Sequence, residues 1–356
     1  MEKRSEIKNI LIIMMIVLLM IGCGQQKEGK SSVGGVSGSG LSGAMMEVGR
    51  SAENVFYAFM ELLSDVLGFT AKTTTKKNDV GSYFNSLGVK LGEASKELEE
   101  VAKKAETGID KNYSSKNLIK EAVEVTKGVL ATLKGHLESL GQVGDSNLVG
   151  DAATDDKGVT AGTDALKGAF KALKGIIDIA EGAGVAKPKA GSTAVKLSNA
   201  DNKDGAKILA TDNKAGVNDV GKAAVILASV SGEEILASIV ESTENKAVKV
   251  STNVTASTTP LEFALGGNGA HLAQDAALAS AVSGGIALRS LVKDGKLASG
   301  AADGSAGGKE EVQKVGITAA NKLLGAVEDI IKKTVKNILE KAKTKIDEAR
   351  NSKTAE

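Results

Sequence analysis

Cysteine occurs once in the 356-residue chain, as Cys23, and histidine twice, as His136 and His271. One thiol cannot close an internal disulfide or build a cysteine metal site. Nucleophilic catalysis needs a nucleophile, a base and a group that orients the base. Neither histidine has sequence-near partners of that kind, and no Ser stands in a nucleophile-elbow pattern. GSAGGKE, from Gly304, is a near miss for a phosphate loop: Asp303 falls where the first Gly is required, and Lys309 precedes Glu310 instead of Ser or Thr. ADNKDG places Ala200 where a calcium loop needs its first Asp and Thr211 where it needs Glu. GGNGAH, from Gly266, reads as a loop entering a helix. The carboxylate pairs Glu99/Glu100, Glu233/Glu234 and Glu310/Glu311 read as solvated helix faces. Arg289 interrupts the apolar run IALRSL and reads as a helix-edge side chain paired with a carboxylate. These residues predict a protein that is not an enzyme and uses no cofactor and no metal.

Cys23 fits a different chemistry. Lys3, Arg4 and Lys8 precede an apolar run from Ile10 to Ile21, which leads into Gly22 and Cys23. A run of that length suits a signal-peptide core, since a spanning helix needs about 20 residues. Small Gly22 before the lone Cys matches a bacterial lipobox, with Met20 where Leu is more common. The expectation is cleavage between Gly22 and Cys23 and acylation of Cys23 by palmitate-type chains. Several chains hold far more firmly than one, because each buried methylene contributes about 0.8 kcal/mol. Residues 24–43 are dominated by Gly and Ser and form a flexible tether with a reach of about 25 Å.

Beyond the tether, helical periodicity takes over. Val55, Phe59, Leu62, Leu63 and Val66 line one face of Met45–Phe69. Phe84, Leu87, Leu91, Ala94, Leu98, Val101 and Ala105 alternate spacings of three and four, a heptad seam that needs a covering helix. Leu118, Ala122, Val125, Val129, Leu133, Leu137 and Leu140 stripe a helix from about Asn117 to Leu140. Leu324, Val327, Ile331, Val335, Ile338, Ala342 and Ile346 stripe a last long helix, Glu310 to about Ala349. Further helical pieces are expected over Leu166–Ala180, Val217–Val240 and Leu272–Ala298, with a possible short strand at Val248 and Val250. Two Pro residues in the whole chain agree with helix, and 42 Gly must then sit mainly in loops and at helix ends. The fold class is all-α: an elongated helical bundle with long amino- and carboxy-terminal helices and variable polar loops at the distal end. The expected organisation is 1–22 signal peptide, 23–43 lipidated tether, 44–349 one helical domain and 350–356 a tail.

Lys187–Asn218 and Thr243–Thr259 read as polar loops that add little to a core and tolerate replacement. The net charge of +1 offers no field to attract nucleic acid. The heptad seam leaves open whether a helix of the same chain or of a second copy covers it, so a homo-oligomer is one arrangement it allows.

Three features together carry a resemblance: Cys23 with its Gly/Ser tether, the helices FMELLSDVLGF and YFNSLGVKLGEASKELEEVAKKAE, and the block QDAALASAVSGGIALRSLVKDGKLA. The chain resembles the variable large proteins of relapsing-fever Borrelia. The resemblance implies an outer-membrane lipoprotein exposed on the cell, held in lipid through Cys23 and facing host antibodies, with antigenic variation as its role. It transfers no catalytic residues. The competing expectation is an adhesin for a host molecule, which a concentrated basic patch or aromatic cluster would favour; neither stands out in the sequence.

Overall fold

In a computed structural model of the chain, residues 57, 67–107, 114–197 and 200–351 are described. Nine α-helices make up most of those residues: α1 (Lys77–Thr107), α2 (Ser114–Leu140), α3 (Thr163–Gly182), α4 (Asp219–Ala228), α5 (Gly232–Val240), α6 (Pro260–Leu265), α7 (Gly269–Leu272), α8 (Ala279–Leu291) and α9 (Lys309–Asn351). Two short 3₁₀ turns, Lys203–Leu209 and Glu244–Lys246, and an antiparallel pair of two-residue strands, Lys196–Leu197 (β1) with Ala200–Asp201 (β2), complete the order. The all-α expectation holds.

The heptad seam is covered from within the chain. Leu87, Leu91, Ala94 and Leu98 of α1 are buried together with Leu130, Leu133 and Leu137 of α2 in one core. Close approach of the start of α1 to the end of α2, the ends away from their connection, uses glycine: a Cβ on Gly81 would stand 2.5 Å from the Gly141 carbonyl oxygen. The 43 residues of α9 run about 65 Å at 1.5 Å per residue, and its stripe from Leu324 to Ile346 is buried throughout.

α8 is the innermost helix. Every residue from Ala279 to Ser290 is buried, which explains why its sequence is apolar or small on all sides rather than striped. Gly284 and Gly285 let α6 approach; a Cβ on Gly285 would collide with Phe263.

Four expectations need correction. Val217–Val240 is two helices bent by 93°, because Ser231 and Glu234 form a capping box that starts α5 afresh, at 3.1 and 2.7 Å. Leu272–Ala298 is not one helix: Leu272 closes α7, helix resumes only over Ala279–Leu291, and the chain then turns at Asp294, where φ is +66°, so that Lys296 and Leu297 pair with Val159 and Ala152. Val250 makes a single bridge to Gly267 and belongs to no strand. Lys187–Asn218 is not a passive loop, since Ala206, Ile208, Leu209 and Ala210 are fully buried. Of Met45–Phe69, only Tyr57 and the non-helical end from Leu67 are described.

Leu91→Ala should destabilise the protein by about 2–5 kcal/mol through the cavity it leaves, whereas Val89→Ala, at a side chain 53% exposed, should change stability by no more than about 0.5 kcal/mol. Urea unfolding followed by circular dichroism separates the two.

Candidate functional site

Several of the charged groups inside the protein bind backbone, whereas buried Asp151 pairs with the lysines Lys296 (3.1 Å) and Lys309 (3.4 Å). Arg289, with 0% exposure, donates from Nε to the Ala264 carbonyl (2.8 Å), from Nη1 to Leu209 (2.9 Å) and from Nη2 to Phe263 (3.2 Å). Those carbonyls end α6 and the 3₁₀ turn Lys203–Leu209 and have no partner within their own helices, so a cation there meets the negative end of two helix dipoles. The carboxylate partner expected for Arg289 is absent among the described residues. Burial pulls the guanidinium down to about 9, which leaves it charged at neutral pH.

Lys77, 1% exposed, does the same for the end of α8. Its Nζ donates to the carbonyls of Val292 and Gly295, each at 2.7 Å, and of Arg289 at 3.4 Å. Burial pushes Lys77 down to about 8, against the opposing pull of Asp145, Asp151 and Asp294 and with a small contribution from Lys296. Lys322 of α9 closes the end of α4 through the Leu227 and Val230 carbonyls (2.8 and 2.6 Å).

α9 also fixes the irregular segment before α1. Gln313 donates to the Thr73 carbonyl (3.0 Å), Asn321 both accepts from and donates to the Ala71 peptide (2.8 and 3.0 Å), and Glu328 accepts the Gly68 and Phe69 amides (3.1 Å each). The Tyr83 hydroxyl donates to Glu328 at 2.5 Å, and burial beside that carboxylate raises the phenol well above its ordinary range.

On this base five loops converge. Lys214 pairs with Asp155 (2.7 Å) and Lys249 with Asp212 (2.6 Å); Thr154 donates to Asp303 (3.2 Å), and the Gly269 amide donates to Asn213 (2.9 Å). Residues 154–157, 212–214, 251–253 and 302–306 in this cluster are exposed. Exposed ion pairs of this kind are worth at most about 1 kcal/mol each, so their side chains decorate the surface without holding the fold.

The residues singled out for chemistry do not assemble. His136, on α2, lies against Gly175 of α3, where a Cβ would collide with its ring. His271 lies on α7, and its Nδ1 has no hydrogen-bond partner among the described residues. Glu99 and Glu100 bind Lys103, and Glu99 also binds Lys127; Glu234 is a helix cap. Glu310 and Glu311 accept the Gly304 and Gly307 amides (3.1 and 2.8 Å), so carboxylates occupy the amides a phosphate would need. No group of three His, Cys, Asp or Glu residues among those described could hold a metal. Cys23 and Gly22 lie outside the described residues. The roles of Lys77 and Glu328 were not visible in sequence. The signal for Arg289 was there: an arginine inside an apolar run must find acceptors, and the nearest carboxylate in sequence lies beyond the helix end.

The profile of the family described as Borrelia lipoprotein matches residues 52–346. The chain belongs to this family. It is 65% identical over 353 residues to Variable large protein 21 of Borrelia hermsii, across 98% of this chain and 96% of that one. It is 61% identical over 350 residues to Variable large protein 7 of the same organism, across 97% and 94%. Variable large protein 14 aligns over 353 residues at 27% identity. The crystal structure of the Lyme disease variable surface antigen VlsE of Borrelia burgdorferi superposes with a TM-score of 0.68 at 25% identity, covering 85% of this chain and 97% of that one. The resemblance to variable large proteins is thereby established, and this family fold persists where three quarters of the residues differ.

Arg289→Met should cost at least about 3 kcal/mol, because three buried carbonyls lose their donors. Arg289→Lys should recover only part of that, lacking the guanidinium fork; chemical denaturation measures both. Lys77 holds its proton less tightly folded, at about 8, than unfolded, at 10.5. Between those values the unfolded chain binds more protons, so stability should rise with pH. Lys77→Met should flatten that rise in denaturation midpoints taken from pH 8 to 10.5.

Proposed function

We propose that the protein is a surface-displayed lipoprotein antigen of the outer membrane, anchored by acyl chains on Cys23, whose exposed loops serve antigenic variation and escape from host antibodies. The observation that carries this reading is the division between interior and surface. Buried side chains bind main-chain carbonyls and amides, while the converging loops expose polar side chains in weak pairs. A carbonyl is offered by every residue type, so such a frame does not prescribe the side chains around it. Antibody surfaces are adapted to polar, exposed epitopes of this sort.

The names of the similar proteins, variable large proteins and a variable surface antigen, support the same role. The Gly/Ser tether would carry the helical body clear of the lipid, and the balanced charge points to acyl chains rather than ion pairing as the means of attachment.

The freely replaceable surface is narrower than the loops as read from sequence. Residues 203–211 belong to the core, and replacing them should unfold the protein. Exchanging exposed side chains at Asp155, Asp212, Lys214, Lys249 and Asp303 should remove most binding by antisera raised against this chain, with the circular dichroism spectrum unchanged. Retained antibody binding, or loss of helix, would count against the proposal. Cys23→Ser should move the protein from the detergent phase to the aqueous phase in phase partitioning; a variant still in detergent would show that something other than the thiol carries the anchor.

A further inference from the structure

One apolar surface is left without a cover among the described residues. An open groove of about 630 Å³ lies between α2, the end of α3 and the carboxy-terminal half of α9, lined chiefly by Val125, Val129, Ile179, Ile338 and Ala342. Val125 is 54% exposed there. The volume is in the range of small-molecule sites, about 300–1,000 Å³. The part of α2 that lines it, Ala122 to Thr132, extends about 15 Å.

The polar groups of the groove are unequal. The Thr126 and Thr132 hydroxyls are spent on the Ala122 and Gly128 carbonyls of their own helix, and Glu124 pairs with Lys127. Lys341 and Lys345, one turn apart on α9, also line the groove. Neither has a carboxylate partner among the described residues; Lys341 makes only a long bond, 3.4 Å, to the Gly182 carbonyl. Most other lysines of α9 are matched, among them Lys333 with Asp329, Lys336 with Glu340 and Lys343 with Asp347. Gly128 and Gly182 lie along the groove with nothing within 4 Å of where a Cβ would stand, so the space is open to a guest.

We infer that this groove binds a free single-chain fatty acid, the hydrocarbon lying on Val125, Val129, Ile179 and Ile338 and the carboxylate meeting the ammonium groups of Lys341 and Lys345. Apolar burial supplies the attraction and the two unmatched cations select the anionic head. A cationic or neutral amphiphile of equal length satisfies the wall but leaves the lysines unanswered.

The test is isothermal titration of the full chain with dodecanoate below its micelle concentration, with dodecyltrimethylammonium and dodecyl maltoside as comparison ligands. Saturable binding of one dodecanoate is expected, at least tenfold weaker in the Lys341→Ala/Lys345→Ala double variant. Gly128→Leu fills the groove while improving local helix propensity, and should abolish binding with the circular dichroism spectrum unchanged. Should that variant misfold, Val129→Asp, at the groove wall, serves the same purpose. Equal affinity for the cationic amphiphile, undiminished binding in Gly128→Leu, or no saturable uptake of dodecanoate would each overturn the assignment.

Discussion

A guanidinium enclosed by protein, answered only by three backbone carbonyls, is the interaction from which the rest of this structure follows. Arg289 sits on α8, the most enclosed helix, and reaches the ends of α6 and of the 3₁₀ turn at Leu209. Without that charge, two helix ends would face the interior with unpaired oxygens. Lys77 then secures α8 itself, through Val292, Gly295 and the carbonyl of Arg289. The two cations are thus in series: one fixes the helix that carries the other. Gly266, at φ +70°, completes the arrangement, since a Cβ there would collide with both the Leu209 carbonyl and the Arg289 side chain.

The choice of acceptor has a consequence for how sequence can change. A side-chain partner must be kept when its residue is replaced, whereas a main-chain partner survives almost any replacement. Arg289, Lys77, Lys322, Gln313 and Asn321 all hold main chain. Such a frame is compatible with a common fold at 25% identity to a variable surface antigen and with relatives that range from 65% to 27% identity over nearly the whole chain. The converging loops, stitched by exposed pairs such as Lys214–Asp155, contribute little to stability and much to the surface.

The regular parts of the fold were legible because they obey a period. The α1 seam and the α9 stripe each needed one partner face, and their described apolar residues lie where the period predicted. The α2 stripe holds at Ala122, Leu133, Leu137 and Leu140 but not at Val125, which is exposed, while Ile119, Val123 and Leu130 are buried instead. What escaped were features set by tertiary contact. The break between α4 and α5 depends on a four-residue cap inside an otherwise apolar run, and α8 has no stripe because all its sides are enclosed. The segment at Lys203–Leu209 looked like a polar loop, yet every residue of its closing Ala206, Ile208 and Leu209 is buried. Arg289 showed in sequence as an anomaly, but the carbonyls that answer it come from residues 25 and 80 positions away, beyond the reach of local pattern.

Native-state hydrogen exchange tests the division between frame and surface most directly. Amides of Ala279–Leu291 should exchange only through global unfolding, at the full unfolding free energy, while those of residues 212–214 and 251–253 should exchange at rates close to an open chain. Exchange of α8 through a local opening as easy as that of the loops would contradict the account, because the buried cations would then not be holding the interior together.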